Sequence, residues 1–374
     1  MSFKENIQAL FAPKTVAVIG ASAAQGKVGH TVVKNMQEAG FKGTLIPVNP
    51  KADEIMGLPV TKRIEDLPVG LDLAVIVVPV AAVVPSMEAL AAIKCKSAII
   101  ITAGFKEVGK EGAALERKLI EICTAHDIAM VGPNCLGLLS THNDNNASFA
   151  AGYPKQGSIA FFSQSGALCT AILDWALGEE VGFSKFVSMG NMAVVNEANM
   201  LEYLRTDPNT KVILGYIENV SNGADFIEQA AKVCREKPVI MIKSGTTAAG
   251  AKAASSHTGA IAGSDAAYTA AFRKTGVIRA GDMATLFDLA LAFSTQPLPE
   301  GPGLCVVTNA GGPGILAADA TEKSPLLHMA RLSNSTIERL KEFLPPYASL
   351  YNPIDVVGDA PAERYRKTLE VVID

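Results

Sequence analysis

The chain has 374 residues, 49% of them hydrophobic, and a formal net charge of −4 from 33 basic and 37 acidic side chains. That balance excludes a broadly cationic nucleic-acid surface, and the apolar runs are too short or too interrupted by proline to span a bilayer. At roughly 150 residues per domain, two or three domains are expected.

Aromatic residues make up only 6%, while Ala, Val, Ile and Gly are abundant. This composition favours parallel sheets covered by helices over a β-sandwich. The first fourteen residues show no apolar core followed by a small-residue cleavage site, so no secretory signal is read. The six cysteines form no C-x-x-C pair, and a reduced, cytoplasmic protein is expected.

In chain order, strands are expected at 15–19, 44–48, 73–78, 97–102 and 128–131, and helices at 30–39, 85–93 and 112–125. Strands alternating with helices predict a parallel, doubly wound sheet, which binds ligands beyond the carboxyl ends of its strands. The loops in that position supply the candidate ligand-binding residues. They are Gly20, Ser22, Lys27 and Val28, then Asn49, Pro50 and Lys51, then Pro79, Thr102, Asn134 and Cys135. The first loop departs from a dinucleotide fingerprint. Ser22 stands at its second glycine, and the second strand ends in Asn49-Pro50-Lys51 with no Asp or Glu to hold a ribose 2′-hydroxyl. Lys51 in its place suits a ligand with an extra phosphate, which leaves NADP and coenzyme A both open.

Residues 140–154 are rich in Asn, Asp, Ser and Gly and read as a boundary. A second strand–helix series follows. Its strands are expected at 158–162, 186–188, 212–217, 239–242 and 277–279, and its helices at 167–177, 198–204, 224–236, 265–274 and 283–293. Ser163-Gln164-Ser165-Gly166 opens the first of these helices, a natural place for an anion against free N–H groups. Capping alone explains the same serines equally well. Glu218 ends a buried strand on the ligand side of the sheet. The loop SSHTGAIAGSD at 255–265 places His257 among small residues, with Ser256 and Gly259 beside it and Ser264 positioned to cap the next helix.

Residues 296–302 read as a linker. A third unit opens with a strand at 304–308, a turn at 309–314 and a helix from Ile315, and ends in a helix at 363–373. These residues hold too few strands for a complete doubly wound domain.

Three loops of the second unit therefore converge on one cleft: 163–166, Glu218 and the His257 loop. A neutral imidazole can attack phosphorus, a carboxylate can steady the charged ring, and helix N-termini can hold phosphate oxygens.

The motifs FFSQSGAL at 161–168, VGPNCLGLLS at 131–140 and SSHTGAIAGSD at 255–265 resemble those of the NDP-forming acyl-CoA synthetases. ITAGFKEVG at 101–109, VTNAGGPGILAAD at 307–319 and NPIDVVGDA at 352–360 extend the resemblance over essentially the whole chain. It points in particular to the α part of the ADP-forming acetate–CoA ligases, relatives of the succinyl-CoA synthetases. The resemblance implies a Rossmann-like CoA-binding domain (1–140), a flavodoxin-like ligase domain (150–296) and a further, apparently incomplete flavodoxin-like domain (303–374). It implies that His257 is phosphorylated, that Glu218 orients it, and that Ser163, Gln164, Ser165, Gly166, Ser256 and Gly259 hold phosphate. The first-domain loop residues then hold coenzyme A rather than a nicotinamide.

The implied reaction is acyl-CoA + phosphate + ADP ⇌ carboxylic acid + CoA + ATP. ADP/ATP and Mg²⁺ are expected at an ATP-grasp domain, supplied by a β subunit or a fused C-terminal part, in an oligomeric assembly. No resident metal, nucleic acid or membrane partner is expected. One departure stands out: after Gly190-Asn191 the chain reads Met192-Ala-Val-Val-Asn196, where relatives usually carry a Lys and an Asp.

Three other readings compete. A CoA-sensing module without catalysis needs only the first domain. An NADP oxidoreductase rests on the first loop alone. A serine hydrolase using Ser165 with His257 lacks the flanking glycines of G-x-S-x-G.

Overall fold

A computed structural model describes residues 3–247, 249–250 and 264–373. Ser256, His257 and Gly259 lie outside the described residues. The chain divides into a compact unit Met1–Gln296 and a smaller unit Pro297–Asp374.

The first sheet of the larger unit has five parallel strands: β1 (Thr15–Ile19), β2 (Thr44–Val48), β5 (Leu73–Ile76), β6 (Ser97–Ile100) and β7 (Ala129–Val131). Their order is β2-β1-β5-β6-β7. β5 and β6 are buried at every position, as apolar runs covered on both faces must be. A short hairpin, β3 (Glu54–Ile55) and β4 (Leu58–Pro59), follows β2, and Thr61 then forms a parallel bridge to Val48. This one bridge is the remnant of a third strand on that edge, which makes the arrangement Rossmann-like.

The second sheet runs β14-β13-β12-β10-β11-β8-β9. Its parallel members are β10 (Gln156–Ser163), β11 (Phe183–Ser188), β12 (Val212–Ile217), β13 (Val239–Lys243) and β14 (Ile278–Arg279). Counted in chain order they lie 2-1-3-4-5, the flavodoxin-like order, with the switch point between β10 and β12.

Several expected boundaries move. The stretch read as a boundary at 140–154 is built into this sheet. β8 (Gly137–Ser140) and β9 (Asn145–Ser148) form an antiparallel pair, and β8 joins β11. Its polar residues are buried with most of their hydrogen bonds made inside the fold: the Asn145 amide N–H donates to the Leu10 carbonyl at 3.0 Å, and the Ser148 hydroxyl to Asn146 Oδ1 at 2.6 Å, while Asn145 Oδ1 is left without a partner among the described residues. A helix not foreseen, α1 (Phe3–Phe11), buries Ile7, Leu10 and Phe11 and stacks Phe11 on Tyr203 with centroids 4.4 Å apart.

After α2 (Val28–Glu38), the helix expected from Pro85 begins earlier, as α3 (Val80–Ala92). Pro85 removes the helical donor that would reach the Ala81 carbonyl, and one residue on the Ser86 hydroxyl donates to the Ala82 carbonyl at 2.8 Å. α4 (Lys110–His126), α5 (Gly166–Gly178), α6 (Glu197–Thr206) and α7 (Gly223–Val233) complete the crossovers. Ser264 stands at the N-cap of the helix Asp265–Thr275 without a side-chain capping bond, contrary to expectation. One apolar core runs between both sheets, from Val16 and Val18 to Ala160, Val187 and Met200, and a further core covers the other face of each sheet, around Ala74 and Met87 in the first and Phe161 and Phe186 in the second.

The smaller unit has two parallel pairs, Gly303–Leu304 with His328–Met329 and Val307–Thr308 with Ile354–Asp355. The strand expected at 304–308 is thus split. Its first helix starts at Gly311, inside the expected turn. Leu340, Leu344, Ile354 and Val356 form its core.

Among the described residues no helix is long and apolar enough to cross a membrane.

Candidate active site

The turn after β1 is shaped by two glycines. Gly20 has φ +92°, a region open to glycine, and its N–H donates to the Val48 carbonyl at 3.1 Å. A Cβ on Gly29 would lie 2.2 Å from the Gly20 carbonyl oxygen, so α2 reaches the turn only because residue 29 has no side chain. Ser22 Oγ accepts the Ala24 N–H at 3.1 Å, and Lys27 stands at the N-cap of α2. Asn49 spends its amide inside the fold, donating to the Ala21 carbonyl at 2.8 Å and accepting the Lys51 N–H at 2.8 Å. Pro79 is the N-cap residue of α3.

A cleft of about 650 Å³ opens above the carboxyl ends of both sheets. It brings together Val28, Thr102, Asn134 and Cys135 from the first-sheet loops with Gln164, Ser165 and Gly166 from the second. Gly20, Ser22, Lys27, Asn49, Pro50, Lys51, Pro79, Ser163 and Glu218 are not on its wall, so of the loops expected to converge there only 164–166 lines it among the described residues. Sequence reasoning missed Leu136, Phe149, Ala167 and Thr170 on the second-sheet side, and Val77 and Ile101 on the first. Ala167 and Thr170 are one helical turn apart on α5, and that spacing is the one signal the sequence offered.

The helix start at Gly166 is open: a Cβ there would meet only Ser188 Oγ, at 3.8 Å. Ser165 caps α5 by accepting the Leu168 N–H at 3.3 Å. Ser163 Oγ accepts the Ser165 N–H at 3.0 Å, fixing the turn from within. The capping role weighed for these serines is therefore present, beside a helix start that faces the cleft.

Glu218 follows β12 and is buried, with 8% of its surface exposed. Gln164 ties it to the helix start. Its Oε1 accepts the N–H groups of Glu218 at 2.8 Å and Asn219 at 3.1 Å, and its Nε2 donates to the Asn219 carbonyl at 2.7 Å. Beyond Asn219, Glu197 accepts the Ser221 N–H at 2.6 Å, and burial raises the Glu197 pKa.

Lys243 ends β13 in register with Ile217 and is also buried. Its ammonium donates to the Ser244 carbonyl and sits 4.6 Å from the centroid of the Tyr268 ring. Burial pulls the Lys243 pKa down, while the charges of Asp265 and Glu218 oppose that fall. The rule that singled out Glu218, a charged residue at the end of a buried strand, would also have found Lys243.

A second polar cluster joins the two sheets. Asn191, after β11, donates through Nδ2 to Glu107 at 2.7 Å and to Glu116 at 2.8 Å, and its carbonyl accepts the Lys106 ammonium. Glu107 Oε1 accepts the Gly104 and Phe105 N–H groups at 2.6 and 3.1 Å. These contacts set the loop that carries Thr102. Cys135 donates to the Ile100 carbonyl at 3.3 Å, and burial pushes its thiol pKa up to about 12. It is a wall, not a nucleophile. Among the described residues no group of three or more His, Cys, Asp or Glu side chains is placed to hold a metal ion.

These features define a Rossmann-like unit joined to a flavodoxin-like one, with a shared cleft over both switch points. Family models agree with that division. Residues 14–141 match a CoA binding domain, 156–293 a succinyl-CoA ligase-like flavodoxin domain, and 304–374 a ligase-CoA domain.

An ADP-forming acetate–CoA ligase I of Archaeoglobus fulgidus is 47% identical over 98% of this chain and 53% of its own length. The α subunit of the ADP-forming acetate–CoA ligase II of Pyrococcus furiosus is 43% identical over 97% of this chain and 79% of its own. A solved acetyl-CoA synthetase of Ca. Korarchaeum cryptofilum, in complex with phosphate and ADP, superposes with a TM-score of 0.92 at 39% identity. That match covers 98% of this chain and 78% of the other.

The chain belongs to the ADP-forming acetate–CoA ligase family and corresponds to its α part. It spans about half the length of the first curated relatives it matches.

Proposed function

We propose that this chain is the α part of an ADP-forming acid–CoA ligase. It would convert acyl-CoA and phosphate to a carboxylic acid, CoA and a phosphorylated histidine. The observation that carries the reading is the Gln164 bridge, which locks a buried carboxylate, Glu218, to an open helix start on the wall of a cleft between two sheets.

In the first step a phosphate oxygen attacks the thioester carbonyl. The C–S bond breaks, CoA leaves as the thiolate and takes up a proton, and an acyl phosphate forms. The N–H groups at Gly166 and the positive end of α5 favour the phosphate here. In the second step a nitrogen of His257 attacks phosphorus, the bond from phosphorus to the acyl oxygen breaks, and the carboxylic acid leaves as its anion. Glu218 accepts the proton-bearing nitrogen on the other side of the ring and steadies the cation that results.

Coenzyme A would lie along the first-sheet loops, with the Gly20 turn, Thr102 and Asn134 nearest its reactive arm. Gly29 fits this role, since the turn and α2 touch backbone to backbone and leave no side chain between ligand and helix start. Ser256 and Gly259 are assigned to phosphate with His257. The phosphoryl group then passes to ADP with Mg²⁺ on an ATP-grasp partner, either a β subunit or a fused domain. Two Pyrococcus relatives carry the name α subunit, which supports a separate partner. The domain limits 1–140, 150–296 and 303–374, an oligomeric assembly and a cytoplasmic location belong to the same proposal.

The test combines titration with CoA and phosphorylation from acyl-CoA and phosphate. Binding without label identifies a CoA-sensing module instead. Absence of both removes the proposal.

A further inference from the structure

Phe149 is a large apolar residue with 37% of its surface exposed, and it lies on the wall of the cleft. Its neighbours Ser148 and Ala150 are 0% and 2% exposed. Its backbone is held from three sides. The amide of Asn35, itself only 8% exposed, donates to the Ser148 and Ala150 carbonyls at 2.9 Å each, and the Phe149 N–H donates to the Leu136 carbonyl at 3.2 Å. The Ser148 hydroxyl also accepts the Ala150 N–H at 3.2 Å.

An apolar ring left partly in water by so firm a backbone loses burial that a ligand can restore. The same cleft wall carries Leu136, Ala167 and Thr170 and the open helix start at Gly166. The other large exposed apolar residue of the wall, Val28, opens α2 on the first-sheet side, where the CoA arm is placed. The reacting carbonyl must sit beside the phosphate, and among the described residues Phe149 is the one large exposed apolar side chain that the second-sheet wall offers to the group attached to it.

We infer that Phe149 is the specificity wall of the acyl pocket, setting the size of the acid that this chain accepts. The inference rests on the ligase reading above. Phe149→Ala should open the pocket toward branched and aryl acids, and Phe149→Trp should close it.

The test measures dissociation constants for CoA, S-ethyl-CoA and S-benzyl-CoA, stable thioethers that need no partner subunit. Preference for the benzyl over the ethyl compound should rise about tenfold in Phe149→Ala and fall about tenfold in Phe149→Trp. CoA itself should change by less than about threefold, since the wall does not touch the arm. Phe149→Leu should move the ratio in the same direction as Phe149→Ala by less, which covers a failure of the alanine variant to fold. A shift in the same direction for Ala and Trp, or an equal loss for all three ligands, overturns the inference. A wild-type chain that binds none of the three overturns the ligase reading as well.

Discussion

The side-chain oxygen of Gln164 accepts the backbone N–H of Glu218 at 2.8 Å, joining residues 54 positions apart in the chain. One amide thereby fixes the spacing between the helix start that would hold phosphate and the carboxylate that would orient the histidine. Gln164→Leu removes all three of its bonds to 218–219 and leaves part-buried N–H groups unmet. Leaving such groups unmet costs about 1–3 kcal/mol each when burial is complete. We expect His257 phosphorylation to slow by about tenfold or more while CoA affinity changes by less than about twofold. Rapid-quench labelling alongside calorimetry separates the two.

Glu218→Gln keeps the size of the side chain and removes its charge. Transfer to the histidine should slow by roughly 10²-fold, with CoA binding unchanged, because the carboxylate stabilises a charged ring and not the ligand. Loss of CoA binding in this variant would show that Glu218 acts elsewhere.

Asn191 shares one Nδ2 between the carboxylates of Glu107 and Glu116 and is itself only 9% exposed. Burial raises the Glu107 pKa, but the N–H groups of Asn191, Gly104 and Phe105 outweigh it and leave the value below the ordinary 4.5. A carboxyl with a depressed pKa contributes stability that is complete above its unfolded value and is lost as pH falls through the folded one. Stability should therefore decline on acidification from about pH 4.5 downward. Asn191→Leu should cost about 2 kcal/mol at neutral pH, a deficit that shrinks as acid neutralises Glu107. Urea unfolding at pH 7 and at about pH 3 measures both. A deficit independent of pH would contradict the role given to this network.

Much of this was legible in the sequence. The strands 15–19, 44–48 and 212–217 fall where apolar runs end in loop signals. Glu218 stood out because a charge closes a buried strand. The hairpin of Gly137–Ser140 and Asn145–Ser148 did not, because an asparagine buried against a distant partner reads in the sequence like a solvated one. The partners of Asn145 and Asn35 lie 135 and 113 residues away. The cleft walls at Leu136 and Phe149 were hidden for the same reason, since the pairing of β8 with β9 and the contacts of Asn35 from α2 create them. Ser163 and Ser165 were read both as caps and as phosphate ligands, and capping bonds at both are seen.

Gly29 offers a further check on the CoA turn. Gly29→Ala would set a Cβ 2.2 Å from the Gly20 oxygen, so helix and turn must separate. We expect a loss of about 2 kcal/mol or more in stability, together with at least a tenfold loss of CoA affinity. Gly26→Ala, where a Cβ would meet nothing within 4 Å but φ is +80°, should cost only backbone strain, about 1 kcal/mol. Equal effects at both positions would mean that strain, and not close approach, sets the turn.

The most direct measurement is the chemistry of the histidine. The full chain should be incubated with acetyl-CoA and radiolabelled phosphate and its peptides mapped. Acid-labile, base-stable label is expected on His257, absent from His257→Ala and slowed in Glu218→Gln. Label that persists in His257→Ala, or a wild-type chain that binds CoA yet takes up no phosphate from acetyl-CoA or from any larger acyl-CoA, would contradict it.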